Sequence, residues 1–175
     1  DVTAGGQLVG AGSLHADALD NSGVTSLLSL QGASTIGTLD NRSGATFNAL
    51  GATQVAGTFS NEAGATVNQL DAVSAAAAGQ QGQWGVSGER TLATGSLTGQ
   101  GNFSLTGAQD RLTLDLGGDS TYAGAFTGAG TLVKTGGGTL GLAGASTHTA
   151  GTLVAAGMLD TSAGGTLARS GAVGD

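Results

Sequence analysis

The sequence contains no cysteine and no proline among its 175 residues. The absence of cysteine excludes a disulfide framework, thiol chemistry and cysteine-ligated metal sites. Only five residues are lysine or arginine, and they are scattered singly along the chain. Nucleic-acid phosphates are bound by clustered basic side chains, so we expect no nucleic-acid partner.

Long apolar runs are also missing. No stretch approaches the roughly 18 consecutive apolar residues that a membrane helix requires. No charged segment followed by an apolar segment has the pattern of a signal peptide. Because the sequence starts at Asp1 rather than at methionine, we expect it to be a piece of a larger or processed protein, and the missing targeting segment leaves its location open.

The sequence is rich in glycine, with 35 residues, and it repeats at a fixed interval. The motif Leu19-Asp20-Asn21 returns as Leu39-Asp40-Asn41 and as Phe59-Ser60-Asn61, so that both steps between successive asparagines are equal. A repeat this short cannot form a compact domain, so each one must stack on the next. A disordered chain has no reason to keep such an interval. We predict an all-β solenoid with coils of about 20 residues.

The repeat gives structural roles to six residues. Three apolar residues at one repeat position are predicted to share a thin core, and three asparagines at another are predicted to link their side-chain amides from coil to coil. The alternative for the asparagines is that turns simply tolerate them. The apolar residues are Leu19, Leu39 and Phe59, and the asparagines are Asn21, Asn41 and Asn61.

The organisation along the chain divides one continuous solenoid into three parts. Residues 1–71 are predicted to form regular coils, 72–94 an irregular excursion, and 95–175 glycine-rich coils. The excursion holds Trp84, the only tryptophan. Binding residues often lie in irregular segments, so Trp84 is a candidate interaction residue. The alternative is that Trp84 covers the core.

The glycine-rich part alternates residue types with a period of two. Leu112, Leu114 and Leu116 are predicted to share one face of a strand. Glycine and leucine then occupy one parity through most of residues 128–144. Glycine usually weakens a strand, so we interpret these glycines as coil corners and as positions where a narrow core admits no side chain.

A family resemblance is carried by residues 122–144, which read YAGAFTGAGTLVKTGGGTLGLAG, and by residues 151–159, which read GTLVAAGML. This pattern resembles the passenger-associated transport repeat of bacterial autotransporters. Ser146 and His148 stand where the repeat usually has asparagine and tyrosine. The earlier coils more loosely resemble autotransporter and filamentous-haemagglutinin-like β-helices.

The resemblance implies a right-handed parallel β-helix at the cell surface of a Gram-negative bacterium, or secreted from it. It also implies secretion through an outer-membrane translocator barrel in the same parent chain. Such passengers act as adhesins, self-association factors or structural stalks, so the expected partners are a host-cell or bacterial surface, including another copy of the protein. The alternative is the stalk or body of a secreted enzyme, either polysaccharide-cleaving or protease-bearing.

Catalytic chemistry would have to come from the few acidic and histidine residues. Asp20 and Asp40 occupy equivalent positions and could work as an acid and a base, but Ser60 replaces the third aspartate and the sequence indicates no basic partner. His15 and His148 are predicted to face outward. No nucleophile elbow accompanies them, and two isolated histidines give no zinc-ligand spacing. We therefore predict no catalytic, cofactor-binding or metal-binding residues and a non-enzymatic role.

Overall fold

The computed structural model of the protein describes residues 6–22 and 27–167, and for residues 27–30 it describes the backbone only. Within these ranges the regular structure consists of strands, and no helix occurs. The strands stack in parallel as a β-solenoid of about seven turns with a spacing of about 20 residues. The predicted solenoid fold is therefore confirmed.

Two large sheets run along the stack. The seven-stranded sheet contains β1 (Gln7–Gly10), β3 (Leu27–Leu30), β5 (Thr46–Ala49), β7 (Thr66–Gln69), β9 (Gln83–Val86), β12 (Asn102–Leu105) and β15 (Ala125–Gly128). The twelve-stranded sheet contains β2 (His15–Asn21), β4 (Ser34–Asn41), β6 (Thr53–Asn61), β8 (Val73–Gln80), β10 (Glu89–Thr94), β11 (Leu97–Gly99), β13 (Arg111–Leu116), β14 (Ser120–Tyr122), β16 (Thr131–Thr135), β17 (Thr139–Leu142), β19 (Thr152–Val154) and β20 (Met158–Asp160). A small third sheet pairs β18 (Ala145–Ser146) with β21 (Thr166–Leu167).

The core is a narrow space between the two large sheets. Strands β5 and β7 alternate half-buried and buried residues, because successive side chains of a strand point to opposite faces. Aromatic rings from successive coils fill the space. Trp84 lies 5.0 Å from Phe59 and 5.5 Å from Phe103, measured between ring centroids, and Phe103 stacks on Phe126 at 5.1 Å.

Long strands bend at irregular pairings. The register between β4 and β6 shifts between Ile36 and Leu39, and the register between β6 and β8 shifts between Val55 and Thr58. A shift of this kind absorbs an extra residue and bends the strand. In the next coil, β10 and β11 are separate strands that both pair with β8, so one bent strand gives way to two.

The segment 72–94, predicted to be an irregular excursion, is regular, and that prediction is wrong. It contains β8, β9 and β10, and all three pair in parallel with neighbouring coils. Val73 pairs with Thr53 at the regular repeat interval, whereas Trp84 pairs with Val67 over a shorter step. The coil is shorter in the connection between its strands, but the columns of paired residues continue through it. The constant interval is therefore lost from the sequence although the stacking persists.

Glycines form a column at one corner of the stack. A Cβ atom added to Gly101, Gly124 or Gly144 would overlap the backbone oxygen of the glycine one coil earlier, which is Gly82, Gly101 or Gly124 respectively. Only glycine permits so close an approach of backbone to backbone. The interpretation of these glycines as coil corners agrees with this packing.

Leu39 offers a direct test of the core register. Its side chain is fully buried, so Leu39→Asp places an unpaired charge in a thin apolar core and should lower the free energy of unfolding by about 3 kcal/mol or more. Thr38→Asp is the matched control, because Thr38 is exposed on the same strand. Urea denaturation followed by Trp84 fluorescence measures both. Equal unfolding midpoints for the two variants would contradict the register.

Candidate functional site

The longest polar feature is a buried row of amide side chains along the twelve-stranded sheet. Asn21 Nδ2 donates to Asn41 Oδ1 at 2.7 Å, and Asn41 Nδ2 donates to Asn61 Oδ1 at 2.9 Å. Asn61 Nδ2 continues the row by donating to Gln80 Oε1 at 2.7 Å. All four side chains are fully buried. We call this row the amide ladder.

The amide ladder also joins the two large sheets. Asn21 Nδ2 and Asn41 Nδ2 each donate a second hydrogen bond, at 2.8 Å, to the carbonyl oxygens of Thr46 and Thr66 in the seven-stranded sheet. A primary amide has two donor hydrogens, so both are used. Buried amides are costly unless they are satisfied. Within the described ranges the stacking of coils supplies a partner for every amide atom of the ladder except Asn21 Oδ1. The ladder is a structural element that solvent does not reach.

The apolar column lies beside the ladder. Leu39 and Phe59 are fully buried, Leu19 is almost so, and each is paired with its counterpart in the next coil. This arrangement places the six structural residues in the core, two positions apart on their strands.

Trp84 does not reach the surface, and its predicted role as an interaction residue is wrong. Its side chain is fully buried between aromatic rings, and its indole Nε1 donates to Gln69 Oε1 at 3.0 Å. Gln69 is itself buried and donates from Nε2 to the carbonyl oxygens of Asp71 and Thr91. The alternative interpretation, that Trp84 covers the core, agrees with this placement.

Three polar residues whose full burial was not predicted from the sequence are Gln69, Gln80 and Lys134. Gln80 stands one position before the place where the repeat would put the next asparagine, so a search that allowed amides slightly out of step could have found it. Lys134 lies in the parity of buried leucines, which was a signal for burial. Its ammonium donates to the carbonyl oxygens of Gly136 and Ala156. Burial lowers the pKa of Lys134, and the Asp115 carboxylate acts in the opposite direction.

The acidic column on the outer face contains the ion pairs that form between coils in the described ranges. Asp20, Asp40 and Ser60 pair at successive positions. Arg42 Nε contacts Asp20 Oδ1 at 2.9 Å, and Arg42 Nη2 lies 4.0 Å from Asp40 Oδ2. The prediction that these aspartates have no basic partner is wrong, because the strand ends at Asn41 and the chain turns Arg42 back over the column.

The electrostatics of this cluster are those of an exposed ion pair. The hydrogen bond and the charge of Asp20 raise the pKa of Arg42. The Arg42 side chain is 47% exposed, and exposed ion pairs contribute little stability. Paired carboxylates with an arginine could bind a sugar, but the next coils supply only Ser60 and Gly79 at the same position.

The two histidines differ in environment. His15 is exposed, as predicted, but His148 is buried, so its predicted outward orientation is wrong. His148 Nε2 lies 2.7 Å from Thr152 Oγ1, and the ring packs edge-on against Phe126. Burial lowers the pKa of His148, while hydrogen bonds involving the backbones of Phe126 and Gly151 partly oppose this shift.

Neither a cluster of metal-ligating side chains nor a membrane-spanning helix occurs in the described ranges. Among residues 6–22 and 27–167, no three His, Cys, Asp or Glu side chains gather in a way that could hold a metal ion. The described part of the chain also has no helix that is long and apolar enough to cross a membrane.

Shallow grooves cross the outer faces of both sheets. On the twelve-stranded sheet a groove is lined by Gln54, Ser74, Ala93 and Asp115, among other residues. On the seven-stranded sheet a groove is lined by polar and apolar side chains that include Asn48, Asn68, Gly85, Ser104 and Leu70. Both grooves run across several coils, so a ligand in either would contact residues of successive coils.

The comparisons with known proteins identify no relative. No protein-family model, curated protein or solved structure matches the chain. The resemblance to autotransporter passengers therefore depends on residue patterns alone, that of 122–159 and the looser one of the earlier coils.

The amide ladder can be tested by comparing two asparagines. Asn41→Ala removes the acceptor of Asn21 Nδ2 and the donor to Asn61 Oδ1, both buried, and should lower the free energy of unfolding by roughly 2–4 kcal/mol. Asn68→Ala removes a half-buried hydrogen bond to Asn48 and should cost about 1 kcal/mol or less. Urea unfolding measures both. Similar losses in the two variants would mean that burial of the ladder adds nothing.

His148 should make stability depend on pH. Since burial lowers its pKa in the folded state, the unfolded chain binds the proton more readily. The stabilisation is complete above the unfolded pKa of about 6.5 and declines as the pH falls below it towards the folded-state pKa. His148→Gln should reduce the loss of stability between about pH 7.5 and pH 5.5, whereas His15→Gln, the exposed control, should not. Unfolding midpoints at the two pH values measure this difference. An unchanged pH dependence in His148→Gln would refute the contribution of His148 to the pH dependence of stability.

Proposed function

We propose that this chain is a segment of an autotransporter passenger, exposed on or secreted from a Gram-negative bacterium, and that it acts without catalysis as an adhesin, a self-association factor or a structural stalk. The observation that carries the proposal is the continuous stack, in which buried amides are paired from coil to coil and short polar side chains form rows outside. A fold of this kind is a scaffold whose long faces are its accessible sites.

The outer rows supply the means of contact. On the outer side of the seven-stranded sheet Asn48 pairs with Asn68, and Ser104 pairs with Thr127. Successive members of a row are about 4.8 Å apart, which is the spacing between neighbouring strands. Each polar contact is weak, but contacts repeated along a rod accumulate. Binding distributed in this way supports adhesion or self-association better than it supports a single recognition pocket.

The secretion assignment is supported by the glycine-rich pattern. Gly128, Gly136, Gly151 and Gly157 all have positive φ angles, between 73° and 106°. These four glycines belong to the segment that resembles the passenger-associated transport repeat, and other residues are strained in that conformation. The pattern therefore corresponds to turns that the coil needs.

The enzymatic alternative depends on Asp20, Asp40 and Arg42. A pair of carboxylates can act as acid and base on a glycosidic bond. Against this role, Arg42 pairs with Asp20, and both carboxylates lie on an outer strand face rather than in either of the two grooves described above. A stalk or adhesive role accounts for the cluster as a surface ion pair.

The proposal is tested with the parent protein displayed on bacteria. Removal of residues 6–167 should abolish host-cell binding or cell aggregation. Single substitutions such as Asn48→Ala or Thr66→Ala should weaken either property only slightly, whereas combined changes over several coils should abolish it. A parent that ends in amphipathic strands of about ten residues would agree with the secretion route.

Three outcomes would contradict the proposal. Full adhesion and aggregation after removal of the segment, together with normal surface display, would exclude both contact and stalk roles. Loss of adhesion by one point substitution in a folded protein would indicate a localised site. Cleavage of a polysaccharide that Asp20→Ala or Asp40→Ala abolishes would establish the enzymatic alternative.

A further inference from the structure

The charged residues are distributed unequally between the two large sheets. The seven strands of the seven-stranded sheet contain no Asp, Glu, Lys, Arg or His. Strands of the twelve-stranded sheet carry charges of both signs, with acidic residues in excess. Its charged residues are Asp17, Asp20, Asp40, Glu89, Arg90, Arg111, Asp115, Lys134 and Asp160.

From β5 onward, the outer face of the seven-stranded sheet is a row of small and polar residues. Phe47, Val67 and Trp84 point into the core, so the residues next to them in sequence point outward. One outward column pairs Asn48 with Asn68, and then continues through Gly85 and Ser104 to Thr127. All of these residues are half-buried. We call this surface the uncharged face.

We propose that the uncharged face is the surface on which a second copy of this chain docks, face to face. This inference rests on the proposed function and names the partner in self-association. Charge, side-chain chemistry, shape and area each bear on it.

Charge favours this face over the strands of the twelve-stranded sheet that carry acidic residues. The chain has a net charge of -7 at pH 7, so two copies repel each other at long range. A contact that included the acidic residues of the twelve-stranded sheet would place like charges together and remove them from water, which is costly. A contact through the uncharged face keeps the carboxylates of the twelve-stranded sheet out of the contact. The remaining long-range repulsion is screened by salt.

The side chains of the face are self-complementary. A two-fold contact brings the same patch of both copies together, so each group must be able to bond to itself or to its neighbours. Amides and hydroxyls can both donate and accept hydrogen bonds. Asn48 and Asn68 already do so within one chain, where Asn68 Nδ2 donates to Asn48 Oδ1 at 2.7 Å.

The shape of the face admits a partner side chain. Gly85 interrupts the outward column between Asn68 and Ser104, and these residues line a groove. Leu70 is 40% exposed at the rim of that groove and provides an apolar contact. A depression beside raised polar groups allows two copies to interdigitate, which a flat row would not.

The area sets the expected strength. Seven strands at about 4.8 Å and four residues at about 3.3 Å give a face of about 400 Å². This is about half of the roughly 800 Å² that each partner buries in a standard interface. The association of two segments should therefore be weak and reversible, and it should strengthen when many copies are held on one surface.

The first test introduces charge on the face without disturbing the fold. A Cβ atom at Gly85 would lie 3.4 Å from Asn68 Oδ1 and 3.7 Å from the Val67 carbonyl oxygen, which is ordinary contact. The double variants Gly85→Glu with Ser104→Glu, and Gly85→Lys with Ser104→Lys, should each weaken self-association at least tenfold in sedimentation equilibrium. Thr98→Glu, on the exposed outer side of the twelve-stranded sheet, should leave it unchanged. Trp84 fluorescence and circular dichroism confirm that every variant is folded.

The second test identifies the partner as a copy of the same chain. Mixing the Glu double variant with the Lys double variant should restore association, because opposite charges then meet across the contact. Raising the salt concentration from about 20 mM to about 300 mM should strengthen association of the unmodified chain, since it screens the like net charges. Weaker association at high salt, no recovery on mixing, or equal behaviour of Thr98→Glu and the double variants would overturn the inference.

Failure of this inference is distinguishable from failure of the proposed function. If the chain stays monomeric up to about millimolar concentration while the displayed parent still binds host cells, the docking of a second copy is refuted and the adhesive function stands. The chain could also bind a neutral glycan without self-associating. If the Gly85 and Ser104 double variants abolish that binding, the face has another occupant and the docking of a second copy is refuted. If removal of the segment reduces neither adhesion nor aggregation, the proposed function itself is refuted.

Discussion

The constraint on which the structure depends is that each amide of the buried ladder must meet another one at the spacing of the coils. Asn41 accepts a hydrogen bond from Asn21 and donates to Asn61 and to the Thr66 carbonyl, so it is satisfied only while its two neighbouring coils stay in register. A slip of one residue would turn Asp40 inward and leave the amides unpaired. The apolar column and the amide ladder therefore select the same register for different physical reasons.

The constraint applies to columns rather than to coil lengths, and this explains what the sequence predicted and what it did not. The step from Asn41 to Asn61 keeps the regular interval, but the step from Val67 to Trp84 is shorter and the step from Phe103 to Phe126 is longer. Corners absorb these differences. A search for identical residues at a constant interval therefore found the first three coils. It missed the fourth, where glutamine continues the asparagine ladder and tryptophan replaces valine in the core.

Buried Lys134 and His148 were harder to predict, because their partners are created by the turns. The Lys134 ammonium is held by the carbonyl oxygens of Gly136 and Ala156, and a Cβ atom at Gly157, which has a positive φ angle, would lie close to it. Those carbonyls face the interior only because glycine lets the chain turn there. Residue type alone favours exposure for lysine and histidine. Lys134 occupies the same alternating positions as the buried leucines, and this was the available signal for its burial. The signal can be interpreted only when the positions of the coil corners are known.

Stacking also explains why the chain has so little charge. In a parallel solenoid each outward side chain lies about 4.8 Å from its counterpart in the next coil, and like charges at that separation repel. The pairing of Asp20 with Asp40 is accompanied by Arg42, which contacts the first and approaches the second. The column then continues with Ser60 and Gly79, which need no counterion. A long stack can extend such columns without electrostatic repulsion only with neutral groups. Uncharged polar rows are therefore the surface that this architecture offers to a partner.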